Sequence, residues 1–275
     1  MLANWATMSE AERDAAYNNN AAVANSPALI EARNAASKAY RAAHPGGLDV
    51  PYGSGARQRF DLYPADKASA PCLVFIHGGY WQRNSAEDFA CYAAGIRAHG
   101  WSVAMPSHTL APDATLTEIV AEIGRALDWL VASGPKHGIA AGPVVLSGWS
   151  AGAQLTAMAL AHPSARAGLA VSGVYDLGPI RDTNLNAKLR LSDAEIATLS
   201  PLRLPVVPKP MTIAYGTREV PALVADGRAL HALRAAAHAP GALVPVPGAD
   251  HFTILDELKQ PDGVLVKAAR ALIDG

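Results

Sequence analysis

A chain of 275 residues, half of them hydrophobic, can bury one large core of the size found in single-domain α/β enzymes. Its net charge of −1, with 17% charged residues, excludes a nucleic-acid-binding face and a polybasic membrane patch. The two cysteines, Cys72 and Cys91, lie outside any C-x-x-C motif or histidine cluster and read as buried thiols, so no metal is expected.

The N-terminal residues show no basic segment followed by an apolar one, and no apolar run reaches membrane length. A soluble, cytoplasmic protein is expected. Residues 1–46 read as a helical extension. Ser9 with Glu12 makes a capping box, and Ser26-Pro27 opens a second helix that runs to His44. Pro45-Gly46-Gly47 ends it. A hairpin follows, Leu48 to Tyr52 and Arg59 to Tyr63 around a Gly53-Ser54-Gly55 turn, with Phe60 and Leu62 alternating with polar neighbours.

From residue 71 short apolar strands alternate with helices. The strands are expected at 72–76, 102–105, 144–147, 169–171, 211–215 and 242–246. The helices are expected near 86–99, 116–133, 151–162, 221–238 and 262–273, with capping boxes at Thr115/Glu118 and Ser192/Glu195. This rhythm predicts a mostly parallel sheet covered by helices on both faces, in one domain over 1–275. The Pro- and Asn-rich stretch of about 173–209, with one short helix, reads as a small cap-like insertion over the sheet edge, after the sixth strand.

The chemistry starts at Gly148-Trp149-Ser150-Ala151-Gly152. A lone G-x-S-x-G is a weak signal, but this one leaves a strand directly and opens an apolar helix, as a nucleophile elbow requires. His77-Gly78-Gly79-Tyr80-Trp81 follows the first parallel strand, where glycines let backbone N–H groups turn towards a developing oxyanion. Ala151 and two of Gly78, Gly79 and Tyr80 are the candidate donors. The base should be a late histidine. Of the nine, His44, His99, His137, His162 and His238 stand at helix ends, where a cation suits the dipole. His77 belongs to the glycine loop, His231 is mid-helix and His108 lies in another loop. His251, after the last strand, remains. Glu219, three residues beyond Gly216 at the end of the preceding strand, is the candidate acid. Asp250 is its rival, although a neighbour in sequence rarely faces the imidazole well. Tyr80, Trp81, Trp149, Tyr175 and Phe252 fall on these loops and are candidate walls of an aromatic-friendly pocket.

From about residue 25 to 272 the chain resembles the arylformamidases (kynurenine formamidases). The resemblance rests on His77-Gly-Gly-Tyr-Trp81, the G-x-S-A-G elbow, Val171-Ser-Gly-Val-Tyr-Asp-Leu-Gly-Pro179, Asp250-His-Phe252 and the hairpin Val50-Pro-Tyr-Gly53 … Asp61-Leu-Tyr63. It departs at Glu219, where familiar animal members carry Asp, at Trp149, where they carry His, and at His108, where a Tyr is common. The resemblance implies an α/β-hydrolase fold and a cofactor-free Ser-His-acid acyl-enzyme mechanism on a small aromatic amide. A broad carboxylesterase and a non-catalytic ligand-binding homologue are the alternatives, and a homodimer is left open.

Overall fold

A computed structural model describes residues 4–67, 69–139 and 142–274. The start of the expected extension, residues 1–3, and Gly275 fall outside them. The helical arm contains α1 (Glu10–Ala16), α2 (Asn19–Ala22) and α3 (Ser26–Ala43). Ser9 and Glu12 cap α1 reciprocally, and Pro27 opens α3, where its missing N–H costs nothing. The short α2 has no apolar periodicity to announce it.

The strands are β1 (Val50–Pro51), β2 (Arg59–Tyr63), β3 (Cys72–Ile76), β4 (Ser102–Pro106), β5 (Val144–Trp149), β6 (Ala165–Val171), β7 (Met211–Gly216) and β8 (Leu243–Val246). They form one sheet in the order β1-β2-β4-β3-β5-β6-β7-β8. The hairpin β1–β2 joins β4 antiparallel, and β3 to β8 run parallel. The expected mostly parallel α/β sheet is therefore present. Alternate residues of β3 serve opposite faces: Cys72, Val74 and Ile76 join one apolar cluster, Leu73 and Phe75 the other. Cys72 and Cys91 are both buried thiols.

The remaining helices are α4 (Ala94–Arg97), α5 (Leu116–Ser133), α6 (Ala151–Ala159), α7 (Gly178–Arg181), α8 (Asn186–Leu189), α9 (Asp193–Leu199), α10 (Pro221–Ala236) and α11 (Val264–Asp274). Helices α5, α6 and α10 cover one face, while α3, α11 and the 86–97 segment cover the other. Two expectations change here. The helix expected at 86–99 is a 3-10 turn over Ala86–Ala93 followed by α4. Its apolar residues recur every three positions, Ala86, Phe89 and Tyr92, then Ala90, Ala93 and Ile96, which suits a threefold screw. The 173–209 segment holds three short helices rather than one. It leaves β6, an interior strand, and packs on α5, α6 and α10 instead of over a sheet edge. Among the described residues no helix is long and apolar enough to cross a membrane.

Arg41 of α3 fastens the arm to the hairpin, bonding the buried Asp61 at 2.8 Å and Asp49 at 2.9 Å. Ser37 adds a bond from its hydroxyl to the Asp88 carbonyl at 2.9 Å.

Candidate active site

The strand-to-helix junction between β5 and α6 holds Ser150 at φ 58°, ψ −121°, a conformation a non-glycine residue adopts only under constraint. The constraint is visible. Ser150 N–H donates to the Val171 carbonyl of β6, and the flanking glycines let the turn close. A Cβ on Gly148 would lie 2.1 Å from the Gly152 carbonyl, and one on Gly152 would lie 2.0 Å from that of Ile76.

Three loops at the carboxyl ends of the parallel strands converge on this serine. The loop after β8 places His251 with Nε2 3.2 Å from Ser150 Oγ. The loop after β7 places Glu219 Oε2 3.0 Å from His251 Nδ1. All three side chains are buried. The loops after β7 and β8 are stitched together by Arg218 N–H to the Ala249 carbonyl (2.9 Å) and Gly248 N–H to Thr217 Oγ1 (2.8 Å). The other oxygen of Glu219 accepts from Gly216 N–H at 2.7 Å and from the Ser172 hydroxyl. Asp250 serves its own loop, with Oδ1 accepting from Phe252 and Thr253 N–H, each at 2.9 Å.

The third loop, after β3, presses on the elbow. A Cβ on Gly78 would lie 2.5 Å from the Trp149 carbonyl and 2.9 Å from Ser150 Cβ. Gly79, Tyr80 and Trp81 then take positive φ in succession, 122°, 52° and 57°. The N–H groups of Gly78, Gly79, Tyr80 and Ala151 make no hydrogen bond to any described residue. Asn84 braces the loop from behind, its amide donating to the Gly78 carbonyl at 3.0 Å. Behind the loop, His77 stacks on His108 with ring centroids 4.5 Å apart and 8° between planes. Burial, then the neighbouring His108, drive the His77 pKa well below its ordinary range, and burial lowers that of His108 to about 4.

A cavity of about 60 Å³ opens on Ser150 and His251, walled by Asn19, Asn20, Ile30, Arg33, Gly79, Tyr80, Arg83, Asn84, Trp149 and Phe252. Of the five expected pocket residues, Tyr80, Trp149 and Phe252 line it. Trp81 and Tyr175 do not. The Trp81 indole is fully buried and donates to Gln154 of α6 at 3.1 Å, and Tyr175 is buried in the apolar layer beside Met211 and Ile213. Trp149 has a second task, since its indole N–H donates to the His251 carbonyl at 2.8 Å. Sequence reasoning missed the arm residues Asn19, Asn20, Ile30 and Arg33, which no motif marks. It also missed Arg83, Asn84 and Ser172, although Ser172 stands first after β6, at a strand end where site residues gather.

Known proteins resemble this chain over most of its length. The BD-FAE family pattern matches residues 60–169, from β2 into β6, taking in the glycine loop and the elbow. The kynurenine formamidase of Danio rerio is 26% identical over 243 residues, covering 82% of this chain and 81% of that protein. That of Salmo salar is 29% identical over 234 residues, 78% of each. The chain is an α/β-hydrolase that resembles the arylformamidases. A solved structure from Silicibacter sp. TM1040, to which a thioesterase role has been ascribed, matches the hydrolase with TM-score 0.83 and 28% identity over 94% of this chain and 98% of its own. Esterase B of Lactobacillus rhamnosis shares the hydrolase's fold at TM-score 0.71 and 19% identity, over 93% of this chain and 96% of its own.

Proposed function

We propose that the protein hydrolyses a small-acyl amide of an aromatic amine through an acyl-enzyme on Ser150. The observation that carries this reading is the continuous bond from Ser150 Oγ through His251 to Glu219, beside uncommitted N–H groups on the same cavity. His251 Nε2 takes the hydroxyl proton as Oγ attacks the acyl carbon. Glu219 keeps the Nδ1 proton in place and stabilises the imidazolium. Gly79 and Tyr80 line the cavity, so their N–H groups, with that of Ala151, are the donors assigned to the oxyanion. His251 Nε2 then gives its proton to the leaving nitrogen as the carbon–nitrogen bond breaks. Water, deprotonated by the same imidazole, releases the acid and restores Ser150.

The cavity supports a small acyl group. At about 60 Å³ it is well below the roughly 150 Å³ that an apolar cavity needs to hold benzene. A formyl group fits within it, while an aromatic leaving group would lie outwards against Tyr80, Trp149 and Phe252. The resemblance to kynurenine formamidases supports a formyl amide as the substrate. A carboxylesterase is the second reading, favoured by the thioesterase role ascribed to the structural relative at 28% identity. Specificity constants for N-formylkynurenine, formanilide, longer N-acyl anilides and p-nitrophenyl esters decide between them. The formyl amides should lead, with rates falling as the acyl chain grows. Long-chain esters turned over far better than any formyl amide would overturn the reading.

A further inference from the structure

Asn19 of the arm is 96% buried, being 4% exposed, and lines the cavity together with Ser150 and His251. Its side chain is oriented by a short relay. The Tyr80 hydroxyl has one proton, and its neighbour at 2.6 Å is the Tyr17 carbonyl, which can only accept. The Tyr80 oxygen must therefore accept from Asn19, which fixes Nδ2 as the atom 3.1 Å away. The opposite end, Oδ1, is buried with no hydrogen-bond partner among the described residues. A buried acceptor left unpaired costs roughly 1–3 kcal/mol, so such an atom on a residue that lines a ligand cavity is a feature to be explained.

The other cavity walls narrow what this oxygen receives. Among the described residues no carboxylate lines the cavity, and the charged side chains on it are Arg33 and Arg83, so they offer no counter-charge for a cation. A neutral carbonyl beside two cations suits a neutral N–H donor. We propose that Asn19 Oδ1 accepts a hydrogen bond from the N–H of the substrate's leaving group, so that the arm selects amides over esters. An ester, with oxygen in that position, leaves the buried acceptor unpaired and sets two lone pairs facing each other. Sites built to bond a substrate N–H discriminate strongly against analogues lacking it. This rests on the proposed acyl transfer at Ser150 and adds a residue to it that chooses the leaving atom.

Formanilide and phenyl formate share the acyl group and the ring and differ in N–H against O. Their kcat/KM ratio is the readout, measured on the intact protein and on Asn19→Leu, Asn19→Ala and Tyr80→Phe. Both Asn19 variants should lower the amide-to-ester ratio about tenfold or more. Tyr80→Phe, which removes the relay that orients the amide but keeps the acceptor, should slow both substrates and lower the ratio by less than either Asn19 variant does. N-methylformanilide completes a cycle from the substrate side: its penalty relative to formanilide should shrink in the Asn19 variants. Equal losses on amide and ester in folded Asn19 variants would overturn the proposal and reduce Asn19 to a brace for Tyr80. If the intact protein turns over neither substrate, the proposed function falls and this inference with it. Turnover of both with an unmoved ratio removes this inference alone.

Discussion

The two sides of the cavity are built on different principles. On one side Ser150, Glu219 and His251 hang from the carboxyl ends of β5, β7 and β8, and backbone hydrogen bonds between neighbouring loops set their spacing. On the other side Asn19, Asn20, Ile30 and Arg33 come from the arm, more than a hundred residues before the elbow, and side chains hold them there. In the proposed mechanism the sheet supplies a rigid frame for the bond-breaking groups, while the arm supplies a wall that the substrate meets. Loss of a strand-end group should therefore abolish chemistry, and loss of an arm group should change selectivity.

The sharpest break of that contrast is on the acid. Glu219→Gln should lower kcat by about 10⁴-fold, because an amide can hold the imidazole in the wrong tautomer. Asp250→Asn should cost less than tenfold and act through the loop bonds to Phe252 and Thr253. A near-normal rate for Glu219→Gln beside a dead Asp250→Asn would reverse the assignment. Where the loop after β3 meets the arm, Tyr80→Phe loses only the relay to Tyr17 and Asn19, and a fall of about tenfold in kcat is expected, measured with formanilide. A loss as deep as that of Glu219→Gln would erase the distinction between frame and wall.

The smallest effect is one of stability beneath the frame. His108 has its pKa lowered from 6.5 to about 4 by burial, so the fold holds it neutral where the unfolded chain would take a proton. The unfolded state binds more protons across that interval, so stability is full above about pH 6.5 and declines as pH falls towards 4. The loss should amount to about 3 kcal/mol at most. Thermal unfolding followed across this range should show the decline, and His108→Tyr should flatten it by leaving His77 as the one titrating ring of the stack. An unchanged slope in that variant would place the acid sensitivity elsewhere.

Much of the frame was legible in the sequence because each part is a local pattern. The elbow is five residues at a strand end, and the His77 loop and the Asp250-His251 turn likewise follow apolar strands. Asp250 could be set below Glu219 from the geometry of adjacent residues alone. The arm was legible only as helices. Nothing in Asn18-Asn19-Asn20 says that one amide meets the hydroxyl of Tyr80, since that contact exists only after α3 has docked on the 86–97 segment. Trp81 and Tyr175 were misplaced for the same reason. Sitting on a motif loop shows that an aromatic residue is near the site, but packing decides whether its ring faces the cavity or, like Trp81, turns to bond Gln154.

The central claim is that Ser150 forms the covalent intermediate. Mass mapping of the protein after reaction with a small fluorophosphonate tests it directly. The account predicts one adduct, on the peptide carrying Gly148-Trp149-Ser150-Ala151-Gly152, formed in step with loss of activity and absent from folded, inactive Ser150→Ala. An adduct on another serine, or undiminished turnover by Ser150→Ala, would contradict it.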